Sequence, residues 1–144
     1  MRVVLDTSIL VRAGTSSHGL AHELLLAIVS GKHPLVLSNE MLHELARVLR
    51  YPRVVAIHQQ PEVRTYEFVG FLREVAEIVS LNPLFAVPIR DVNDIIVLQT
   101  AVAGEADVIC TRDKDFFEPP ASGFLGKLGI AVMDDASLMK RLRL

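Results

Sequence analysis

The stretch MRVVLDTSIL, residues 1–10, is an apolar run that ends abruptly on an acid, Asp6. Its segment RVVL is short, rich in β-branched residues and apolar on both faces, which is typical of a strand buried on two sides in a parallel sheet. An acid directly after such a strand stands at its carboxyl end, where open α/β folds bind their ligands. The stretch therefore predicts an α/β fold with a carboxylate at its binding edge.

Length and composition favour one globular domain. A chain of 144 residues, of which 51% are apolar, is long enough to bury a core, and we expect a single domain over residues 1–144. The single cysteine, Cys110, excludes an internal disulfide and fits a cytoplasmic protein. The first apolar run breaks at Asp6, too soon for a signal peptide or a membrane span, so we expect no membrane association.

The net charge of −2 restricts how the chain can bind nucleic acid. Affinity for phosphate cannot come from an overall basic surface, so it must come from local arginines or a bound metal.

Strand and helix patterns alternate along the chain. Further strands are predicted at residues 34–38, 77–81, 106–111 and 129–134. Helices are predicted at residues 19–30, 39–51 (ended by Pro52), 61 or 62 to 78, 89–106 and 135–144, the last with Asp134 or Asp135 at its start. This alternation predicts a three-layer α/β/α sandwich around a central parallel sheet with Rossmann-like topology.

Acidic residues follow or border several of these elements. Asp6 follows the first strand, Glu44 lies on the helix after the second, Asp94 is near a helix start and Asp113 follows the strand VICT. Because the carboxyl ends of parallel strands meet at one edge, we expect these acids to gather there. Clustered carboxylates repel one another, and Mg²⁺ or Mn²⁺ prefers oxygen ligands. The pattern favours a metal site suited to phosphodiester hydrolysis.

Each acid also has an ordinary structural interpretation. An Asp after a strand often caps the next helix, a carboxylate on a helix is usually solvated, and RDKD at residues 112–115 fits a charged turn. The repetition of acids at the ends of separate strands is what favours the metal site.

The stretches VVLDTSILV (3–11), EMLHELARVL (40–49) and DVNDIIVLQTAVAGEADVICTRDKDF (91–116) resemble the PIN-domain family of metal-dependent nucleases. The resemblance spans nearly the whole chain and follows the family's order of motifs. It implies that Asp6 is the central metal ligand and catalytic residue, and that Glu44, Asp94 and Asp113 are the other catalytic acids, binding metal directly or through water. Asp115 would be a fifth acid that helps to hold the metal.

The resemblance also bears on the neighbours of these acids. Ser8 matches a small polar residue that contacts ligand or substrate, whereas Asp91 is expected to cap a helix. Near RDVND the chain has fewer acids than many relatives, so the assignment of Asp94 depends on the helical register. Thr-Arg-Asp replaces a common Thr-Gly-Asp, which adds Arg112 as a residue that contacts a substrate phosphate or pairs with Asp115.

The resemblance further implies a small toxin similar to the VapC-like toxins, which cleave RNA and are silenced by an antitoxin protein. Such proteins commonly form homodimers. Tyr51, Phe68 and Phe71 would furnish an apolar surface for such contacts, although core packing explains them equally well.

Other classes of protein fit the sequence less well. A Mg²⁺-dependent phosphatase would use Asp6 as a nucleophile and usually needs a second acid two residues later. In this chain that position is occupied by Ser8, which counts against a phosphatase. A catalytically inactive PIN-like binding module remains an alternative, although the acids are retained. His18 and His22 lack a third zinc ligand, and the sequence HEL at residues 43–45 lacks the second histidine of a zinc protease.

Overall fold

Short parallel strands and helices alternate along the chain, as the apolar patterns predict. The computed structural model describes residues 1–143, and its strands are β1 (Val3–Leu5), β2 (Val36–Ser38), β3 (Glu77–Val79), β4 (Val108–Cys110) and β5 (Ala131–Met133). The helices are α1 (Thr7–Thr15), α2 (Leu20–Ser30), α3 (Asn39–Leu49), α4 (Pro52–His58), α5 (Glu62–Val75), α6 (Val92–Ala103), α7 (Ala121–Lys127) and α8 (Asp135–Arg143), with a 3₁₀-helix at Lys114–Phe116. Within residues 1–143, no helix has the length and apolar character needed to cross a membrane.

The strands form a parallel sheet with β1 at its centre. β1 pairs with β4, which pairs with β5, and β2 pairs with β3. A parallel bridge between Val3 and Leu35 joins the two groups, and the Val3 N–H donates a 2.9 Å hydrogen bond to the Pro34 carbonyl. The strand order is therefore β3-β2-β1-β4-β5, and the helices cover this sheet in an α/β/α sandwich.

The core forms where the central strands meet the apolar helix faces. β1, β2 and β4 are completely buried, which explains why their sequences are apolar on both faces. α1 packs on α2 and α3, α8 packs on α2, and α6 packs on α3 and the sheet. Buried residues from the C-terminal part of the chain, including Phe116, Leu125 and Leu138, belong to the same core.

The structure confirms the predicted strands and long helices, and it corrects several details. Pro52 opens α4 instead of only ending α3, because proline suits the first turn of a helix. Three helices, α1, α4 and α7, were not predicted. α5 ends at Val75, before the predicted residue 78, because β3 begins at Glu77. The closing helix was predicted to reach Leu144, which lies outside the described residues.

Candidate metal centre

Three carboxylates converge beyond the carboxyl end of β4. One oxygen from each of Asp94, Asp113 and Asp115 lies within 4.8 Å of the other two. Asp94 is buried in the first turn of α6, Asp113 is half-buried after β4, and Asp115 is exposed in the 3₁₀-helix. The structure therefore brings together three of the acids singled out from the sequence.

Asp6 is fixed at the end of the neighbouring strand. It caps α1, where the Thr7 N–H donates a 2.7 Å hydrogen bond to its Oδ1. The Thr111 hydroxyl donates a 2.7 Å hydrogen bond to its Oδ2, and the Ser8 hydroxyl lies 3.5 Å from the same atom. The Asp6 N–H donates to the Cys110 carbonyl at 2.9 Å, so pairing of β1 with β4 sets this position.

The pKa values of Asp94 and Asp6 are both raised, because the two carboxyl groups are buried close to another acid. Burial, followed by the charge of Asp113 and a hydrogen bond with it, raises the pKa of Asp94 to about 7. Burial also raises the pKa of Asp6, and its hydrogen bonds to Thr111 and Thr7 oppose this rise. The Asp113 charge raises the pKa of Asp6 further, so the two acids interact. Charge repulsion and desolvation together make this cluster costly to ionise.

The donor set fits a hard divalent cation. Carboxylate oxygens are the ligands that Mg²⁺, Mn²⁺ and Ca²⁺ prefer, and a divalent charge offsets the repulsion that raises the pKa of Asp94. Asp94, Asp113 and Asp115 are the residues that could hold such an ion, with Asp6 close enough to interact with Asp113.

Glu44 lies on α3 and does not belong to this convergent group. Its buried carboxylate accepts three hydrogen bonds from Arg47, one turn along the helix, at 2.8–3.0 Å. Glu44 and Asn93, the residue before Asp94, line the same surface groove. The role of Glu44 as a metal ligand therefore stays a prediction.

Of the two roles expected for Arg112, the pairing with Asp115 is wrong, because Arg112 pairs with Asp135 instead, while the contact with a substrate phosphate stays a prediction. Its Nε and Nη2 donate 3.0 Å and 3.1 Å hydrogen bonds to the two carboxylate oxygens of Asp135. The physical reason is that Asp135 is a buried carboxylate, which needs a charged partner more than the exposed Asp115 does.

The structure confirms Asp91 as a helix cap, because it accepts hydrogen bonds from the N–H groups of Asn93 and Asp94. Asp134 caps α8 in the same way through the Ser137 N–H. Two residues next to the site did not stand out in the sequence: Thr111, which donates a hydrogen bond to Asp6, and Asp135, which pairs with Arg112. Thr111 could have been found, because a hydroxyl residue at the end of an apolar strand is placed to contact the neighbouring acids. Asp135 could not, because in the sequence it resembles an ordinary helix cap.

The aromatic residues singled out from the sequence have different environments. Phe71 is exposed, but Phe68 packs on the core against Gly14, where an added Cβ would meet its ring. Tyr51 is partly buried, with the Arg47 guanidinium 5.7 Å from its ring centre. Of the three aromatic side chains expected to furnish an apolar surface, Phe71 is therefore the exposed one.

Fold and site together define an α/β protein with a carboxylate centre at the carboxyl edge of a parallel sheet. A family model described as the PIN domain matches residues 2–115, and the chain belongs to this family. PIN domains are generally nucleases that bind divalent metal, and the acid cluster lies within the matched residues and fits a metal site. No curated protein matches the chain.

Proposed function

We propose that this chain is an Mg²⁺- or Mn²⁺-dependent endoribonuclease that hydrolyses phosphodiester bonds in RNA. The observation that carries the proposal is the convergence of Asp94, Asp113 and Asp115 beside Asp6. Membership of the PIN-domain family supports hydrolysis of phosphodiester bonds as the reaction.

The acids take different parts in the proposed reaction. Asp94, Asp113 and Asp115 would hold the cation, and Asp6, fixed by Thr111 and Thr7, would complete the negative edge of the site. A bound divalent cation supplies Lewis-acid activation of the phosphodiester and of the attacking water. Because its pKa is about 7, Asp94 carries a proton in part of the population at neutral pH and must lose it before binding metal.

Substrate contacts would come from polar groups around the acids. Ser8 is exposed next to Asp6, and Arg112 follows Thr111 at the strand end. A groove on the Glu44 side is lined by Arg47, Arg73 and other residues. With a net charge of −2, such local cations are the means by which the chain would bind RNA phosphates.

We further propose that the protein is the cytoplasmic toxin of a toxin-antitoxin pair, that it binds an antitoxin protein and that it forms a homodimer. These proposals rest on the resemblance of its motifs to VapC-like toxins. Exposed apolar side chains on α4 and α5 support a protein contact there, namely those of Ile57, Val63, Tyr66, Phe71 and Val75.

RNA cleavage by the purified protein tests the proposed activity. A panel of structured and single-stranded RNAs is incubated with Mg²⁺, Mn²⁺ or EDTA, with wild type beside Asp6→Asn. Asp107→Asn is the matched control, because Asp107 is an exposed acid that accepts a hydrogen bond from the Arg2 N–H, remote from the site.

The proposal predicts metal-dependent cleavage by wild type and Asp107→Asn, and none by folded Asp6→Asn. Cleavage by Asp6→Asn at the wild-type rate would overturn it. A folded wild type that neither cleaves RNA nor binds metal would favour an inactive PIN-like binding module.

A further inference from the structure

Asp135 is a buried carboxylate held between two arginines. It opens α8, and its side chain is 1% exposed. Arg112 donates to both of its oxygens, at 3.0 Å and 3.1 Å, and Arg12 Nη1 lies 3.4 Å from its Oδ2. The Ala136 N–H adds a 3.1 Å hydrogen bond to Oδ1. Planar two-point pairing of this kind fixes the orientation of a guanidinium as well as its charge.

The two arginines come from the two segments that carry the site. Arg112 stands between Thr111, which binds Asp6, and Asp113, a member of the acid cluster. Arg12 lies on α1, the helix that Asp6 caps. Asp135 therefore ties the segment after β1 and the segment after β4 to one buried point on α8.

We propose that Asp135 is a positioning residue for the metal centre, which acts through Arg112 to hold the segment Thr111–Asp115 in its metal-binding conformation. The inference rests on the proposed function, because it needs the acid cluster to bind a cation. Asp135 lies beyond residues 2–115, so the segment that matches the PIN-domain model does not contain it.

Arg112 lies within the segment Thr111–Asp115, which is held by two hydrogen bonds of its own. The Asp113 N–H donates to Thr111 Oγ1 at 3.0 Å, and the Asp115 N–H donates to Asp113 Oδ1 at 3.0 Å. Both bonds lie in a partly exposed loop, where such bonds open readily unless the chain is held. The pairing of Arg112 with α8 holds the residue between them.

Arg112→Met is the most direct variant, because the Arg112 side chain is 57% exposed and methionine keeps its unbranched apolar stem while removing the guanidinium. Arg2→Met is the matched control, since it removes another two-point pair, with Glu77, away from the site. Asp135→Asn, which keeps the shape of the side chain, is the reciprocal variant.

Two measurements, hydrogen exchange on the metal-free proteins and titration with Mn²⁺, test whether Asp135 positions the metal centre. Hydrogen exchange should show loss of protection at the Asp113 and Asp115 amides in Arg112→Met, with β2 and α3 unchanged. Calorimetric titration with Mn²⁺ should show affinity weakened by about 10-fold or more, the usual cost of removing an outer-shell partner. Arg2→Met should match wild type in both.

Wild-type exchange and wild-type Mn²⁺ affinity in Arg112→Met would overturn the inference. Unchanged Mn²⁺ affinity, together with weaker binding of uncleaved RNA in EDTA, would also overturn it, because Arg112 would then act only as the substrate contact of the proposed function. A wild type that binds no Mn²⁺ would overturn the inference together with the proposed function. A wild type that binds Mn²⁺ but cleaves no RNA would overturn only the proposed function, because the Mn²⁺ comparison still decides the role of Asp135.

Discussion

The hydroxyl of Thr111 donates a 2.7 Å hydrogen bond to Oδ2 of Asp6, and this bond joins the segments that follow two neighbouring strands. The same hydroxyl accepts a 3.0 Å hydrogen bond from the Asp113 N–H. One completely buried threonine thus holds two of the acids from which the site is built.

Thr111→Val should destabilise the protein by about 1–3 kcal/mol, because it leaves a buried acceptor of Asp6 and the Asp113 N–H without their partner. Urea unfolding of the metal-free protein measures the change. Thr111→Ser keeps the hydroxyl and should be closer to wild type in stability. Equal stability of the valine variant and wild type would contradict the role assigned to this bond.

The stability of the metal-free protein should fall as pH rises, because of Asp94. An acid whose pKa is higher in the folded chain binds more protons when folded, so the free energy of unfolding decreases between the two pKa values. For Asp94 that window runs from its ordinary value of 3.8 to about 7. The contribution of protonated Asp94 to the free energy of unfolding is present below this pH window and is lost as the pH rises through it.

Urea unfolding in EDTA at pH 5, 6, 7 and 8 measures this slope. Asp94→Asn should be flatter than wild type across the range, because its amide does not titrate. Asp107→Asn, the control remote from the site, should keep the wild-type slope. An equally steep slope in Asp94→Asn would show that other groups cause it.

Divalent metal should stabilise the folded chain if it binds there in preference to the unfolded chain. At a Mn²⁺ concentration of 100 times Kd, the expected gain is about 2.7 kcal/mol in the free energy of unfolding. Asp113→Asn should lose most of this gain, and Asp107→Asn should keep it. A gain of equal size in all three proteins would indicate binding away from the cluster.

Glu44→Gln should weaken Mn²⁺ binding less than Asp113→Asn does, because the Glu44 carboxylate is already paired with Arg47 and does not belong to the group of three converging aspartates. Calorimetric titration of the two variants makes the comparison. Equal losses would show that Glu44 joins the site when metal binds, as the family resemblance implies.

The positions of the central strands and part of the site could be predicted from the sequence. Asp6 directly follows β1 and Asp113 comes shortly after β4, and both strands are apolar and buried on two faces. Parallel strands place residues at such positions along one edge of the sheet. Asp94 follows a helix cap, Asp91, that was correctly identified. These positions are set by local patterns, so the pattern was sufficient to predict them.

Other features depend on contacts that no local pattern records. Arg112 and Asp135 are 23 residues apart, and α7 lies between them in the sequence. α7 reads ASGFLGK, whose two glycines disfavour a helix, and α4 has no buried residue to give an apolar stripe. Neither helix therefore shows the apolar periodicity from which the longer helices were predicted.

The central claim is that the carboxylates beside Asp6 hold a divalent cation on which RNA cleavage depends. The most direct test is the rate of RNA cleavage as a function of Mn²⁺ concentration, in wild type and in Asp113→Asn. We predict a saturable rise in wild type that EDTA abolishes, and little or no cleavage by folded Asp113→Asn at any Mn²⁺ concentration. Cleavage that persists in EDTA, or a wild-type response in Asp113→Asn, would contradict the claim.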